Sequence, residues 1–149
     1  LAHQTPVSAG VFCFYRRDHV NYTLLVLSAP TTGHGARTAM RFAHAAIERG
    51  HTINRVFFLD EGVANGSQIS VFPQDETDRL RPWATLAEEH DVELVLCISS
   101  AIKRGMLDAA EAERYEKPGP TVHPAFIVSG LGQLIDATAS ADRLLTFGG

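Results

Sequence analysis

Short apolar runs recur five times along the chain, and each predicts a buried β-strand because it is brief and rich in Val, Leu, Ile and aromatic residues. The runs lie at residues 22–27, 53–59, 92–98, 125–129 and 142–147. Between them, apolar residues recur at the three- and four-residue spacing of amphipathic helices. These helices are predicted over residues 36–47, 80–90, 108–115 and from 131 onward.

Polar and glycine positions between the runs set the ends of these elements. Gly50 is predicted to cap the first helix, and Asp108 to begin a later one with Glu111 at the capping-box spacing. Residues 60–78 are polar and predicted to be irregular. Strands that alternate with helices favour a parallel sheet joined by right-handed crossovers. We therefore predict an α/β fold: a single three-layer domain with a five-stranded, mainly parallel sheet and helices on both faces, flavodoxin- or Rossmann-like.

Composition narrows the class of protein. The 149 residues suit one domain, and the hydrophobic and charged fractions of 45% and 20% are ordinary for a globular protein. A net charge of −4 gives no basic field for nucleic acid, and no apolar stretch approaches the roughly 20 residues that span a bilayer. Residues 1–20 do not continue the strand and helix pattern. We interpret them as an N-terminal extension outside the core fold, and residues 21–149 as the domain.

Cys97 is the candidate for chemistry. It lies at the end of the third run, where a polar loop enters a helical turn, and open α/β sheets gather their chemistry at the carboxyl ends of strands. Such a turn, with Lys103 and Arg104 nearby, would favour the thiolate. Free cysteine is also a common buried small hydrophobe, and position alone leaves both interpretations open. Cys13 lies in a different context, so we expect no disulfide and a reducing, cytoplasmic setting.

Four separated segments resemble the DsrE/TusD family of sulfurtransferase subunits. They are Pro-Thr-Thr-Gly at 30–33, Arg-Val-Phe-Phe-Leu-Asp-Glu-Gly-Val-Ala-Asn at 55–65, Leu-Cys-Ile-Ser-Ser-Ala-Ile-Lys-Arg-Gly-Met at 96–106, and Val-Ser-Gly-Leu-Gly-Gln-Leu at 128–134, followed by Asp142 and Arg143. The resemblance extends from Tyr22 to Phe147 with the order preserved. Residues before Val20 have no counterpart in it, so Cys13 acquires no role.

The resemblance implies that Cys97 is the catalytic residue, which carries sulfane sulfur as a persulfide between small carrier proteins. It also implies assembly with related DsrF/TusC-like and DsrH/TusB-like subunits into a heterohexamer. A TusA-like protein would donate the sulfur and a TusE/DsrC-like protein would accept it. The relay would serve tRNA 2-thiouridine synthesis, which we prefer, or oxidative sulfur metabolism. It needs no cofactor and no metal, and no direct contact with nucleic acid or membrane is expected.

Three further features have weaker signals. The loop at Thr31 to Gly35 could hold a phosphate, which leaves a flavodoxin-like cofactor-binding module as an alternative, beside a non-catalytic scaffold subunit. His34 in that loop is expected on the same side of the sheet as Cys97. An acidic patch in the long loop could dock a basic carrier protein or be a solvated surface. It comprises Glu61, Asp75, Glu76 and Asp78.

Overall fold

The computed structural model describes residues 19–149, in which five strands alternate with helices. The strands are β1 (Asn21–Val26), β2 (Thr52–Phe58), β3 (Glu93–Cys97), β4 (Phe126–Ser129) and β5 (Arg143–Phe147). The helices are α1 (Gly35–Glu48), α2 (Arg81–His90), α3 (Ile98–Lys103), α4 (Ala109–Arg114) and α5 (Gly132–Ser140), with a 3₁₀ helix at Asp60–Gly66. All five predicted strands are present, each within one or two residues of its predicted bounds.

Every strand pairing is parallel, and the strand order is β4-β3-β2-β1-β5. The chain therefore moves one strand at a time from β1 to β4, then crosses the whole sheet to place β5 beside β1. Since right-handed crossovers in opposite directions lie on opposite faces, α1 and α2 cover one face and α5 the other. The predicted α/β fold with helices on both faces is confirmed.

The face under α1 and α2 holds the larger core. Alternate strand residues point into it, including Leu24 and Val26 of β1 and Leu94 and Leu96 of β3, all without solvent exposure. Helix α1 meets the sheet through small residues. These are Ala36, Ala39, Ala43 and Ala46. The single tryptophan, Trp83 of α2, packs edge-on against Phe58 at 5.1 Å between ring centroids.

The opposite face has a thinner core. Phe57, Val95 and Cys97 are buried there, and Leu134 of α5 packs on them. Only α5 covers this face among the described residues, and large apolar side chains around it remain exposed. They are Ile127 (50% exposed), Leu131 (50%), Ile135 (69%) and Leu144 (38%), which we name the α5 apolar patch. The face that carries the thiol is therefore the less completely covered of the two.

Two elements differ from the sequence prediction. The stretch predicted as irregular begins with the 3₁₀ helix, and Gly62 within it lies so close to β1 that a Cβ would be 2.1 Å from the Val26 carbonyl oxygen. The loop expected after Cys97 is absent because α3 begins at the next residue. The predicted ends of the other helices hold: Gly50 has φ +80°, and Asp108 accepts the Glu111 backbone N–H at 2.9 Å.

The N-terminal extension is predicted over residues 1–20. Residues 1–18 of it, which include Cys13, lie outside the described residues. His19 and Val20 are described, and both contact the start of β2. His19 Nε2 lies 2.6 Å from the Thr52 hydroxyl, and the Thr52 backbone N–H donates to the Val20 carbonyl at 3.0 Å. The chain therefore reaches the sheet two residues before β1 begins.

Candidate active site around Cys97

Cys97 is both the last residue of β3 and the residue before α3. Its backbone is extended, with φ −62° and ψ 119°, and Ile98 begins the helix. In the sheet it is paired with Ser129, the last residue of β4. The predicted position, a strand end on the carboxyl edge of the sheet, is therefore present.

The sulfur is not open to solvent in the single protomer. Cys97 is 1% exposed and packs with Phe57 and Val95, while Leu25, Leu59 and Leu134 lie half-buried against this group. A docking protein therefore cannot reach the sulfur directly in the isolated protomer. The physical reason is that α5 lies over the end of β3 and closes the face on which the side chain points.

Hydrogen bonds from the two residues after Ile98 act on the buried thiol. Cys97 Sγ lies 3.3 Å from the Ser99 hydroxyl oxygen. Burial opposes ionisation of the thiol, but hydrogen bonds from the hydroxyls and backbone N–H groups of Ser99 and Ser100 outweigh it and lower the pKa of Cys97 below its usual value. The environment thus favours the thiolate, which is the nucleophilic form.

The predicted electrostatic help from Lys103 and Arg104 is wrong. The Arg104 guanidinium forms an ion pair with Glu61 at 2.7 Å and donates to the Ser100 carbonyl at 3.2 Å. Lys103 is exposed at the end of α3, and neither cation is among the groups that lower the pKa of Cys97. Hydrogen bonds rather than these two cations therefore favour ionisation of the sulfur.

Ser99 and Ser100 were not anticipated as functional residues. Ser99 is exposed, whereas Ser100 is 6% exposed and accepts the Asp60 backbone N–H at 3.1 Å. A signal was present in the sequence, since two consecutive hydroxyl residues follow the cysteine by two and three positions. Without knowing that α3 begins at Ile98, we could not place either hydroxyl near the sulfur.

The Thr31 to Gly35 loop lies away from the thiol and is packed against the chain itself. A Cβ at Gly33 would be 2.0 Å from the Gly149 carbonyl oxygen, and one at Gly35 would be 3.1 Å from that of Gly148. These glycines follow β5, which is separated from β3 by β1 and β2. His34 is exposed and its Nδ1 lies 3.5 Å from Arg37 Nη2. The structure therefore does not bring His34 to Cys97, and protein backbone fills the space beside the proposed phosphate loop.

The acidic residues of the long loop have separate structural contacts. Glu61 is paired with Arg104, and the Asp78 carboxylate accepts the Leu80 backbone N–H at 2.9 Å just before α2. Asp75 and Glu76 are exposed. Two of the four carboxylates of the predicted docking patch therefore already bind groups of this chain.

Residues 19–149 show neither a metal-binding cluster nor a membrane-spanning helix. No group of three or more His, Cys, Asp or Glu side chains is arranged to hold a metal ion within this range. No helix in the same range is both long and apolar enough to cross a membrane. Within residues 19–149 the one cysteine is Cys97, and it forms no disulfide there.

Comparison with known proteins gives the class of enzyme. The DsrE protein of Allochromatium vinosum is 40% identical over 87% of this chain and 99% of its own length. The sulfurtransferase TusD homolog of Pseudomonas aeruginosa is 45% identical over 84% of this chain and 95% of its own. The sulfurtransferase TusD of Serratia proteamaculans is 41% identical over 83% and 96%. These names confirm the predicted class of enzyme, a sulfurtransferase.

A solved structure with the same fold and a family model both match this chain. The crystal structure of the ychN protein from E. coli superposes with a TM-score of 0.69, covering 86% of this chain and 99% of that one at 21% identity. The model of the DsrE/DsrF-like family matches residues 21–147, which is the whole sheet with its helices. The chain therefore belongs to the DsrE/DsrF-like family.

Proposed function

We propose that this protein is a sulfur-relay subunit in which Cys97 accepts sulfane sulfur as a persulfide and passes it to an acceptor protein. The observation that carries the proposal is the thiol itself: a cysteine at a strand end whose pKa is lowered by hydrogen bonds from Ser99 and Ser100. A cysteine that served only as a small hydrophobe would have no need of hydroxyl donors around its sulfur.

Sulfur enters by nucleophilic displacement. The Cys97 thiolate attacks the outer sulfur of a donor persulfide, the bond between Cys97 Sγ and that sulfur forms, and the donor's own thiolate leaves. The proton on the outer sulfur stays with it, so atoms and electrons balance without an oxidant. One cysteine is sufficient because the donor supplies the second thiol, and a lowered pKa raises the fraction of Cys97 that can attack.

Sulfur leaves by the reverse chemistry. The thiolate of an acceptor protein attacks the outer sulfur of the Cys97 persulfide, and Cys97 departs as a thiolate. A thiol of low pKa is a better leaving group. The hydrogen bonds that lower the pKa of Cys97 thus favour this second displacement as well.

Access to the sulfur requires a local rearrangement, because the side chain is buried in the protomer. Its cover is thin: Ser99, which touches Sγ, is exposed, and the segment from the end of β4 to the start of α5 carries Gly130 and Gly132, where a Cβ would meet nothing within 4 Å. Movement of this segment or of Ser99 would open the sulfur without disturbing the larger core on the other face of the sheet.

The partners we propose are related DsrF/TusC-like and DsrH/TusB-like subunits in a heterohexamer, a TusA-like donor and a TusE/DsrC-like acceptor. The α5 apolar patch supports association with another folded chain, since several large exposed apolar side chains on one face of a domain are typical of subunit interfaces. The setting we propose is the reducing cytoplasm, in either tRNA 2-thiouridine synthesis or oxidative sulfur metabolism. Neighbouring genes distinguish the two, because sulfite-reductase genes would indicate oxidation.

Intact-mass measurement after incubation with glutathione persulfide tests the function. The wild type and Cys13→Ser should each gain one sulfur atom, while Cys97→Ser should gain none and remain folded. Removal of the residues before Val20 should leave the gain unchanged, because the contacts of Cys97 within residues 19–149 are made by the sheet, α3 and α5. Equal loading of Cys97→Ser, or loss of loading in Cys13→Ser, would contradict the assignment.

A further inference from the structure

Ser99 differs from the other groups around Cys97 because it is an exposed residue in contact with a buried sulfur. Its hydroxyl oxygen lies 3.3 Å from Sγ, while Cys97 itself is 1% exposed. The apolar residues packed on the group that contains Cys97 are Leu25, Leu59 and Leu134, and Ser100, which also hydrogen-bonds the thiol, is buried. The Ser99 hydroxyl therefore lies on the side of the sulfur that faces solvent, from which another protein must approach.

The direction of this hydrogen bond depends on the state of the sulfur. A hydroxyl has one hydrogen to donate, and a thiolate has none, so the Ser99 hydroxyl must donate whenever Cys97 is ionised. Hydrogen bonds to a charged group are stronger than those between neutral groups. The contact is consequently strongest when negative charge lies on Sγ and weakest when the sulfur is a thiol or a persulfide.

Among residues 19–149, no charged side chain competes with this hydroxyl for the sulfur. The residues packed on Cys97 from β1, from the end of β2 and from α5 are Leu25, Leu59 and Leu134, none of which ionises. Arg55 and Glu93 on the same face pair with each other, four residues before Cys97 along the sheet.

The charged groups beyond the strand end are Asp60, Glu61, Lys103 and Arg104. Glu61 and Arg104 pair with each other. None of the four is among the groups that change the pKa of the thiol. Hydrogen bonding from the two serines is therefore the interaction that a substitution near the sulfur can remove.

We propose that Ser99 is a catalytic residue: its hydroxyl donates a hydrogen bond to the Cys97 thiolate and stabilises the charge that forms on Sγ when sulfur passes to the acceptor. This inference rests on the proposed function. When the acceptor thiolate bonds to the outer sulfur, the Sγ–S bond breaks and its electron pair remains on Cys97 Sγ. The hydroxyl is already within contact distance of that atom, so the charge forms beside its donor.

The two half-reactions should respond differently to loss of the hydroxyl. In the accepting step the thiolate becomes scarcer but more nucleophilic, and these effects partly cancel. When sulfur is released to the acceptor, Cys97 becomes a poorer leaving group, and no second effect compensates for this loss. Removal of the Ser99 hydroxyl should therefore slow release of sulfur more than its uptake.

The test uses the full-length Cys13→Ser protein, so that Cys97 is the reporting thiol, with Ser99→Ala, Ser99→Thr and Ser129→Ala added singly. Iodoacetamide alkylation measured against pH reports the titration of Cys97 without any sulfur donor. Uptake from glutathione persulfide and release to glutathione are then timed separately by intact mass. Ser129 is the matched control, because it is paired with Cys97 in the sheet but is not among the groups that lower the pKa of its thiol.

Ser99→Ala should move the alkylation midpoint to higher pH and slow release by about tenfold, with a smaller change in uptake. Ser99→Thr keeps the hydroxyl and should restore both properties, and Ser129→Ala should behave as its parent. An unchanged midpoint in Ser99→Ala, or a Thr variant as slow as the Ala variant, overturns the proposal. If every variant, the parent included, fails to take up sulfur, the proposed function is overturned. The alkylation profile would still show whether Ser99 lowers the pKa of Cys97.

Discussion

Ser100 accepts a hydrogen bond from the backbone N–H of Asp60 at 3.1 Å, and this contact joins the helix behind Cys97 to the 3₁₀ helix behind β2. Asp60 adopts a left-handed backbone with φ 50°, which is uncommon for a residue with a side chain. The Ser100 hydroxyl accepts from Asp60 through its oxygen, so its own hydrogen is available to Cys97. The Ser100 side chain therefore joins the segments that follow β2 and β3, and it also helps to ionise Cys97.

Ser100→Ala should reduce stability as well as raise the pKa of Cys97. Ser100 is 6% exposed, so the substitution leaves the Asp60 N–H without its partner, at a cost of about 1–3 kcal/mol in the free energy of unfolding. Urea denaturation followed by fluorescence of the single tryptophan measures this loss. Ser99→Ala is the comparison, since Ser99 is exposed and should change the titration of Cys97 with little loss of stability. Equal stability losses in the two variants would argue against the anchoring role of Ser100.

Arg104→Gln should leave the alkylation midpoint of Cys97 where it is in the wild type. The guanidinium is occupied by Glu61 and by the Ser100 carbonyl, and it is not among the groups that lower the pKa of the thiol. The measurement is the pH profile of iodoacetamide alkylation in the Cys13→Ser background. Lys103→Gln serves as a second variant with the same expected result. A midpoint that rises in either one would show that a cation does stabilise the thiolate.

Gly62→Ala should destabilise the fold because the 3₁₀ helix lies directly against β1. The added Cβ would be 2.1 Å from the Val26 carbonyl oxygen, and backbone on both sides must shift, which costs about 1–3 kcal/mol. Gly119→Ala is the matched control: a Cβ there meets nothing within 4 Å, and stability should be unchanged or slightly higher. Thermal unfolding of both variants measures the difference. A Gly62→Ala protein as stable as Gly119→Ala would show that the close approach is readily relieved.

The sheet could be predicted from the sequence because each strand is a short apolar run, and the three central strands β1, β2 and β3 are largely buried. Runs ending at Leu27, Leu59 and Ile98 lie within one residue of the observed ends of these strands, since the central strands of a parallel sheet are covered on both faces. The position of Cys97 on the carboxyl edge followed directly. The family and the class of enzyme followed from longer segments around the same strand ends.

The surroundings of Cys97 could not be predicted in the same way, because they depend on contacts between segments distant in sequence. Cys97 and Leu134 are 37 positions apart, and only the crossover of α5 beneath the sheet brings them together to bury the sulfur. Arg104 is seven positions from Cys97 in the sequence, yet its partner is Glu61, which lies in the 3₁₀ helix after β2. Proximity in sequence therefore suggested cations at the thiol, whereas tertiary packing placed hydroxyls there.

The stability of the protein should depend on pH through Cys97, in a direction that its surroundings fix. The pKa of Cys97 is lower in the folded protein than in the unfolded chain, where a thiol titrates at about 8.5. Between these two values the unfolded chain binds more protons than the native protein, so the free energy of unfolding rises with pH. The contribution of Cys97 to stability is complete above the pKa of the unfolded chain and is lost as pH falls through the pKa of the folded protein.

Urea denaturation of the Cys13→Ser protein and of the Cys13→Ser, Cys97→Ser double variant, from about pH 6 to about pH 9, isolates this contribution as the difference between their free energies of unfolding. That difference should grow in favour of Cys97 as pH rises, and it should grow less when Ser99 is replaced by Ala. A difference that stays flat or shrinks with rising pH would mean that the folded protein does not favour the thiolate.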